Sequence, residues 1–358
     1  MKQKLIIVTP ELHRLGGIAN HHLGLMPHWR VDVVNFVMGR RNDHTTRLLS
    51  GPLIPYDLIR FAVCLIRNRG SVVMLNPSFR PFLIRLNAFY LIVAHIFGHR
   101  TVVFIHGFDT EYAQRIRRRG WLYRWVYNKA SLIYVLYSGF RDILMQTGIT
   151  VPIKLTTTKV ANEMVDGIDI PVRHHIDTLL FVARLVPEKG IMLTLQIFKQ
   201  LKENHPALRL CICGDGPSRK EAERYVATHG LTDVEFKGKV SGTQLRDCYL
   251  QSDLYILPTY SEGMATTILE AMAMGLNIVS RPVGGVVDFW SEDDMGFLIE
   301  STDCADYTRC IEQLMADPDG IAHRSAFNRQ YAQEHFLASD ITRRIEEDLA
   351  PLWDIDEH

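Results

Sequence analysis

The chain has 358 residues, more than one comfortable hydrophobic core, which predicts two domains. With 47% hydrophobic and 22% charged residues, its composition excludes the disordered and collagen-like classes. The formal net charge is zero, but residues 1–170 carry 22 Lys and Arg against 10 Asp and Glu, and residues 171–358 carry the opposite imbalance. The basic half predicts an anionic partner such as a lipid phosphate, a membrane surface or a charged glycan, and no nucleic-acid motif is present.

The first half alternates strand-like and helix-like runs, which predicts a parallel sheet with crossover helices. Its opening stretch, MKQKLIIVTPE, has about four apolar residues before Thr9 and Pro10, which indicates a first strand rather than a signal peptide. A cytoplasmic location with reduced thiols is therefore expected. The six cysteines show no metal-ligand spacing, so no metal site is predicted. The predicted strands are 5–8, 31–37, 71–76, 101–106 and 131–137.

Polar residues follow two of these strands, and ligands gather at the carboxyl ends of the strands in such a sheet. The pair Gly16-Gly17 follows the first strand, where it indicates either a flexible turn or a close backbone approach to a ligand. No G-x-G-x-x-G dinucleotide fingerprint is present. His106 ends the fourth strand and Asp109 follows it, and a structural and a functional interpretation of both stay open. Further polar candidates at this edge are His13, Asn20, His21 and His22.

Two stretches of the first half bear on membranes. Residues 82–97, FLIRLNAFYLIVAHIF, are apolar nearly all round, but a bilayer span needs roughly 20 apolar residues and this stretch is shorter and contains Arg85. It is compatible with a buried crossover helix or with a membrane-dipping helix. Residues 115–129 (Arg115 to Lys129), RIRRRGWLYRWVYNK, interleave basic and aromatic residues. That pattern is typical of a basic helix on an anionic membrane, or of a solvated face backed by core aromatics.

The alternation restarts after a polar break at residues 162–176, which contains Gly167 and Pro171, so the domain boundary is predicted there. Helical segments at 320–335 and 339–353 end the chain. The strands predicted for the second half are 178–184, 208–214, 234–240, 253–258, 277–281 and 296–300.

The stretch 258–275, PTYSEGMATTILEAMAMG, organises the second half. An apolar run ending in Pro258 precedes it, and a helix is predicted over 266–274. The turn between them lies at a helix N-terminus, where unpaired backbone N–H groups and the helix dipole favour a phosphate. Glu262 lies before this anion site and Glu270 one turn inside the helix. Such an arrangement suits a ligand with phosphates at its middle and hydroxyls at both ends.

The segment RLVPEKG can supply the positive charge that a phosphate site needs. Arg184 is expected at the end of a strand and Lys189 at the start of the next helix, so both side chains could converge on one diphosphate. A surface Arg and Lys flanking an ordinary loop is the alternative.

Three motifs occur in a fixed order: RLVPEKG, the CGDGP turn at 213–217, and Glu-x7-Glu in SEGMATTILEAMAMG. Together they resemble glycosyltransferase family 4, whose members are retaining enzymes that use nucleotide sugars. The resemblance is strongest over residues 177–300. It implies an α/β chain of the GT-B fold, with two Rossmann-like parallel-sheet domains that face each other across a cleft. The implied domains are an acceptor-binding domain at 1–165, onto which helices at 336–358 return, and a nucleotide-sugar-binding domain at 166–335.

The resemblance also implies residue roles. Arg184 and Lys189 would bind the diphosphate of a UDP-sugar or GDP-sugar, Glu262 the sugar hydroxyls and Glu270 the ribose, with no metal required. His106 would lie near the donor sugar and the acceptor, and backbone around Val240 would meet the base. The implied catalytic residues are His106, Arg184, Lys189 and Glu262. The implied donor-binding residues are Gly16, Gly17, Arg184, Lys189, Val240, Glu262, Gly263, Met264, Ala265, Thr266 and Glu270.

The implied function is sugar transfer to a glycan or lipid-linked acceptor in bacterial-type surface polysaccharide assembly, such as O-antigen, capsule or lipopolysaccharide. The enzyme would work at the inner face of the cytoplasmic membrane. Met264 and Ala265 stand where many relatives have an aromatic residue and a glycine, and Asp288 where relatives often have Glu, so the sugar stays open. A soluble sugar-nucleotide enzyme with a small acceptor and a catalytically silent sugar-nucleotide-binding partner are the alternatives.

Overall fold

The structure, a computed structural model, describes residues 3–12, 17–39 and 50–353. These residues form two compact units. The first comprises the described residues up to Lys159 and the C-terminal segment from Ala338, and the second is Val160–Leu337. The boundaries expected from the sequence, 165/166 and 335/336, differ from these by six and two residues.

Fourteen strands are present in the described residues. In the first unit they are β1 (Lys4–Thr9), β2 (Asp32–Val37), β3 (Val72–Leu75), β4 (Ser78–Phe79), β5 (Thr101–Ile105), β6 (Gly107–Phe108), β7 (Leu132–Val135) and β8 (Ile153–Leu155). In the second they are β9 (Thr178–Val182), β10 (Arg209–Cys213), β11 (Val234–Gly238), β12 (Leu254–Leu257), β13 (Asn277–Ser280) and β14 (Gly296–Leu298).

Fourteen α-helices accompany the strands in this part of the chain. In the first unit they are α1 (Gly17–Leu25), α2 (Ser50–Arg67), α3 (Pro81–Ile96), α4 (Thr110–Arg119), α5 (Trp121–Tyr127) and α6 (Ser138–Gln146). The second contains α7 (Ile191–Asn204), α8 (Arg219–Thr228), α9 (Gly242–Leu250), α10 (Thr266–Ala273), α11 (Glu292–Met295), α12 (Cys304–Met315) and α13 (Pro318–His335). The final helix, α14 (Ala338–Trp353), belongs to the first unit.

Each unit is built on a six-stranded parallel sheet, in the order β2-β1-β3-β5-β7-β8 and β11-β10-β9-β12-β13-β14. Every residue of β3, β5, β7, β9 and β12 is buried, as expected for strands covered by helices on both faces. All eleven strands predicted from the sequence are present. The short strands β4, β6 and β8 were not predicted, because two or three residues carry no periodic signal.

The order of the strands fixes where a ligand can enter each unit. In the second sheet the order reverses between β9 and β12, which is the Rossmann arrangement, and in the first it reverses between β1 and β3. Connections that follow the two strands at such a point leave in opposite directions and open a crevice at their carboxyl ends. The loops after β9 and β12 contain the RLVPEKG and SEGMATT motifs.

The basic-aromatic stretch at 115–129 does not form one continuous helix. It forms α4 and α5, which break at Gly120, where the backbone leaves helical geometry (φ −96°, ψ 35°). A β-carbon at this position would lie 2.4 Å from Cγ2 of Ile116, so only glycine permits the close turn. Among the described residues, no helix combines the length and the apolar character needed to cross a bilayer.

Candidate functional site

The candidate site of the second unit lies at the reversal of strand order, between the loop after β9 and the loop after β12. The CGDGP turn supports the first of these loops. The backbone N–H of Leu185 donates to the carbonyl of Asp215 at 3.1 Å, and that of Ser218 donates to the carbonyl of Leu185 at 2.9 Å. A β-carbon at Gly216 would lie 2.4 Å from the Leu185 carbonyl oxygen. The glycine therefore lets the turn approach closely enough to fix the backbone on either side of Arg184.

The two loops are also bonded to each other. The backbone N–H of Tyr260 donates to the carbonyl of Glu188 at 2.8 Å, and the Thr259 hydroxyl donates to the same oxygen at 3.1 Å. Gly190 has a left-handed backbone (φ +77°), and a β-carbon there would lie 2.3 Å from the carbonyl oxygen of Pro258. The glycine of RLVPEKG is thus required for the two motifs to meet.

An ion pair joins the predicted cation and the predicted sugar-binding carboxylate. Lys189 Nζ lies 2.5 Å from Glu262 Oε1 and 3.3 Å from the carbonyl oxygen of Ser261. The side chains are only 18% and 15% exposed, so the pair is partly desolvated. Arg184 is exposed and forms no ion pair with another residue of the described ranges. Among the described residues, the loop after β9 therefore carries both an exposed arginine without an ion-pair partner and a lysine that a carboxylate orients.

Helix α10 begins at Thr266, as predicted, so its first turn lies where the anion site is expected. Its N-cap, Ala265, offers no side-chain oxygen to the first N–H groups, which remain available to a ligand. The Thr267 hydroxyl accepts a hydrogen bond from the hydroxyl of Tyr255, a residue of β12, at 2.6 Å. Met264 is partly buried and packs against the core of the unit. These contacts anchor both ends of the turn 264–267 after β12.

Glu270 lies one turn inside α10 and is 7% exposed. Its Oε2 accepts the hydroxyl of Tyr249 at 3.0 Å. Burial, together with the neighbouring carboxylate, raises the pKa of Tyr249 well above its usual value, so the phenol keeps its proton. No motif in the sequence pointed to this partner, because Tyr249 reaches the site from α9, a helix that the motifs do not include.

Two further donor-site candidates of this unit, Gly263 and Val240, differ in how the structure holds them. Gly263 accepts a backbone hydrogen bond from Gly285 at 2.7 Å, which ties the second motif to the Gly284-Gly285 pair. Val240 is partly buried but lies beyond β11. The prediction that this strand runs to residue 240 is wrong, because Gly238 adopts φ +68° and ends it.

In the first unit, His106 belongs to a histidine cluster at the reversal between β1 and β3. Its Nε2 and that of His22 lie 3.2 and 2.7 Å from Asn76 Oδ1. The His21 ring centroid is 5.2 Å from that of His106, and the His106 ring stacks on Phe104 at 3.9 Å. Asn76, which follows β3, was not singled out from the sequence. Its position at the end of the strand beside β1 is the signal that could have found it.

The cluster is built to be uncharged. Burial lowers the pKa of His22 to about 4, against the hydrogen bond to Asn76 Oδ1, which raises it. Burial first, and then the neighbouring imidazoles, lower the pKa values of His21 and His106 well below the usual range. Both ring nitrogens of His21 are buried without a hydrogen-bond partner among the described residues. At neutral pH these imidazoles are therefore neutral, and suited to accept or donate hydrogen bonds rather than to bind phosphate.

Other predicted residues of the first unit have different outcomes. Gly16 and His13 lie outside the described residues, whereas Gly17 is the first residue of α1. Asp109 caps α4, since its Oδ1 accepts the backbone N–H of Tyr112 at 2.9 Å, which gives it a structural role.

One group in the described part of the chain could hold a metal ion. It consists of the buried cysteines Cys211 and Cys213 of β10 and Cys248 of α9, whose Sγ atoms lie within 4.8 Å of one another. The first two are side by side because residues two apart share a face of a strand. Cys248 comes from a distant part of the sequence, so spacing alone did not reveal the group.

Comparisons with known proteins agree with these motifs. Residues 172–334 match the family described as "Glycosyl transferases group 1". The gpi3 subunit of phosphatidylinositol N-acetylglucosaminyltransferase from Schizosaccharomyces pombe is 34% identical over 30% of this chain. The putative teichuronic acid biosynthesis glycosyltransferase TuaC from Bacillus subtilis is 31% identical over 42% of this chain. The matches span only 24% and 35% of the lengths of these two relatives.

Solved structures match over nearly the whole chain. Anabaena HepE, crystallised in complex with UDP and glucose, has a TM-score of 0.73 at 16% identity, with 97% of this chain and 99% of that chain covered. Sucrose-phosphate synthase from Thermosynechococcus elongatus has a TM-score of 0.75 at 17% identity, with 98% and 99% covered. At these identities the likeness shows the fold, and the predicted GT-B architecture of two parallel-sheet α/β domains is confirmed.

Proposed function

We propose that this chain, whose residues 172–334 match the group 1 glycosyl transferases, transfers a sugar from a nucleotide-diphosphate sugar to an acceptor hydroxyl. The observation that carries the proposal is the Lys189–Glu262 pair beside the uncapped N-terminus of α10. It combines a cation and free backbone N–H groups for phosphate with a carboxylate for hydroxyls. UDP is the first nucleotide to test, because HepE, which has a similar fold, was crystallised with UDP.

In the proposed reaction the bond between the anomeric carbon and the phosphate oxygen breaks, and the acceptor oxygen bonds to the same carbon. The nucleotide diphosphate leaves with both bonding electrons. Arg184, Lys189 and the N–H groups of residues 264–267 stabilise its developing charge, which is the role that a metal ion would otherwise fill. The acceptor proton passes to the departing phosphate. Attack on the face that the leaving group vacates retains the configuration, and we propose this outcome without a metal requirement.

The two glutamates have separate proposed roles. Glu262 accepts hydrogen bonds from the hydroxyls of the donor sugar, and Lys189 holds it in place. Glu270 accepts the ribose hydroxyls, and its bond from Tyr249 fixes the carboxylate. The acceptor is proposed to bind the first unit near His106, whose neutral imidazole suits a hydroxyl. Because the TuaC relative is named for teichuronic acid synthesis, we propose a glycan or lipid-linked acceptor of a bacterial-type surface polysaccharide. The enzyme would then act at the inner face of the cytoplasmic membrane.

The first experiment is a thermal-shift screen against UDP, GDP, ADP, CMP and their sugar conjugates, with Mg²⁺ and with EDTA. A rise in melting temperature with one nucleoside diphosphate that EDTA does not abolish supports the donor site. No response to any of them would refute it. Binding of a sugar nucleotide without hydrolysis or transfer of the sugar would favour the silent sugar-nucleotide-binding partner instead.

Variants test the assignment of the phosphate-binding side chains. Arg184→Ala and Lys189→Ala are each expected to weaken binding of the nucleoside diphosphate about tenfold or more, since a charge-assisted hydrogen bond contributes about 1.5–3 kcal/mol. Arg209→Ala is the matched control, because Arg209 is exposed at the opposite, amino-terminal end of β10. Calorimetry that finds equal affinities in all three variants would remove both residues from the site.

A further inference from the structure

Apolar side chains are concentrated on one set of helices of the first unit. Of the fifteen large hydrophobic residues that are exposed in the described part of the chain, eleven lie on α2, α3 or α5 or directly after α3. They are Tyr56, Ile59, Val63, Ile66, Phe82, Phe89, Ile96, Phe97, Trp121, Leu122 and Trp125. We call this set the apolar face. Single exposed hydrophobics are ordinary, but such a cluster marks a surface that binds something apolar.

A cavity opens beside this face, between α3 and the pair α4–α5. Its volume is about 680 Å³, which is in the range of small-molecule sites, roughly 300–1,000 Å³. One wall is formed by Ile84, Ala88 and Ile92, which follow one another at four-residue intervals along α3. Tyr123 and Val126 of α5 line the opposite wall. The interior is therefore suited to a hydrocarbon ligand.

The backbone keeps this cavity open in a defined shape. The break at Gly120 lets α5 turn away from α4, and the hydroxyl of Tyr127 donates to the carbonyl of Ile84 at 2.6 Å, which ties α5 to α3. The Tyr123 hydroxyl is buried with no partner in the described residues, so the wall retains one polar donor. The break at Gly120 and this hydrogen bond thus set the positions of the helices that line the cavity.

Arginines border the cavity. Arg85 is exposed and forms no ion pair with another described residue. Among the described residues Arg115 pairs with Glu111 alone, at 3.6 Å, and both side chains are more than 75% exposed. That pair is therefore weak and leaves the guanidinium available. Phe89 and Leu122 line the cavity and also belong to the apolar face, so the two are continuous. The complementary ligand has one long apolar part and one anionic end.

We propose that this cavity binds the hydrocarbon chain of a phosphate-bearing lipid, with Arg85 and Arg115 on the phosphate and the apolar face against the surrounding bilayer. The proposal rests on the proposed function and extends it, because it makes the acceptor a lipid whose phosphate links the chain to the sugar-accepting end. A buried protein segment would bring its own backbone polar groups into the cavity, whereas a hydrocarbon chain has none to satisfy.

The test uses the full chain and calorimetry with three probes: a C15 prenyl monophosphate below its micelle concentration, the corresponding prenyl alcohol, and inorganic phosphate. The prenyl monophosphate is expected to bind at least tenfold more tightly than either of the others, because only it satisfies both the cavity and the arginines. Binding no tighter than that of inorganic phosphate would overturn the proposal.

Two variants locate the site. Ala88→Phe fills the cavity and is expected to weaken prenyl monophosphate binding at least tenfold, whereas Met145→Phe, at an exposed position of α6, is the control and leaves it unchanged. Arg85→Glu combined with Arg115→Glu is expected to lower the affinity for the prenyl monophosphate but not for the prenyl alcohol. Because both arginines are exposed, this second variant serves as the test if Ala88→Phe fails to fold. Affinity equal to that of the unaltered protein in a folded Ala88→Phe and in the arginine variant would overturn the proposal.

The same preparations distinguish a lipid in the cavity from surface adsorption and from dimerisation. One outcome is that the protein sediments with phosphatidylglycerol vesicles equally well with and without Ala88→Phe, and fails to bind the monomeric prenyl phosphate. Those two results together would mean surface adsorption only and would overturn the cavity site. If the protein is a dimer that Trp121→Ser dissociates, the apolar face binds a second copy of the chain, and the lipid proposal is overturned. The thermal shift with nucleotides is measured on the same unaltered protein. Prenyl phosphate binding without any nucleotide response would refute the donor site alone. A nucleotide response without prenyl phosphate binding would refute the lipid site alone.

Discussion

Gly284→Ala tests whether the backbone beneath Glu262 sets the geometry of the donor site. Gly284 has φ +66°, and a β-carbon there would lie 2.6 Å from the carbonyl oxygens of both Glu262 and Gly263. Ordinary contact begins at 3.4 Å, so the loop would have to retreat by about 0.8 Å. Since Lys189 Nζ lies 2.5 Å from Glu262 Oε1, a shift of that size is enough to weaken the ion pair.

A matched control separates the stability cost of Gly284→Ala into a backbone part and a steric part. Placing an L-residue in the left-handed region costs about 1–2 kcal/mol, and both Gly284→Ala and Gly230→Ala incur this cost, because Gly230 has φ +59°. A β-carbon at Gly230 meets nothing within 4 Å. The steric part, about 1–3 kcal/mol, therefore falls on Gly284→Ala alone. We expect Gly284→Ala to lose about 2–5 kcal/mol of stability and Gly230→Ala about 1–2 kcal/mol.

The displaced loop is also expected to lower activity. A displacement near 1 Å of a positioning group can cost about a hundredfold in rate, so Gly284→Ala is expected to lower sugar-nucleotide turnover by ten- to a hundredfold. Gly230→Ala is expected to leave turnover unchanged. Urea unfolding measures the loss of stability. Hydrolysis of, or transfer from, the matching sugar nucleotide measures the loss of turnover. Equal losses of turnover in the two variants would refute the prediction, because the Gly284 contact would then not position Glu262.

Three further predictions concern single side chains. Glu262→Gln is expected to weaken binding of the sugar nucleotide more than that of the bare nucleotide by calorimetry; equal losses would contradict its sugar contact. Tyr249→Phe removes a donor from the buried Glu270 and should cost about 1–3 kcal/mol in unfolding free energy, and an unchanged melting temperature would argue against that role. The folded-state pKa of His22, about 4 against 6.5 when unfolded, means that the unfolded state binds the proton more readily. Protonation of His22 alone is therefore expected to lower stability by up to about 3 kcal/mol as the pH drops from 6.5 to 4. His22→Gln, which keeps a donor toward Asn76, should remove this part of the dependence, whereas His21 and His106 keep theirs. A variant with the same pH profile as the unaltered protein would show that His22 is not the group responsible.

The sequence was sufficient for the elements whose signal is local. The predicted strands are present because buried parallel strands need an unbroken apolar run, which is visible in windows of four to six residues, as in β3 and β12. The start of α10 at Thr266 followed from composition and from the turn before it. The Glu-x7-Glu spacing similarly predicted which carboxylate precedes the helix and which lies inside it.

Only the tertiary structure decided which distant residues meet. Lys189 and Glu262 are 73 positions apart, and their contact depends on β9 and β12 being neighbours, which no local pattern encodes. For the same reason Asn76 could not be recognised as the partner of His22 and His106, nor could the cavity between α3 and α5. The break at Gly120 was visible as a glycine, but whether it bends or ends a helix is set by the packing of Ile116 against it. Local sequence thus determines elements and their ends, whereas the order of strands, fixed by the burial of the whole sheet, determines the site.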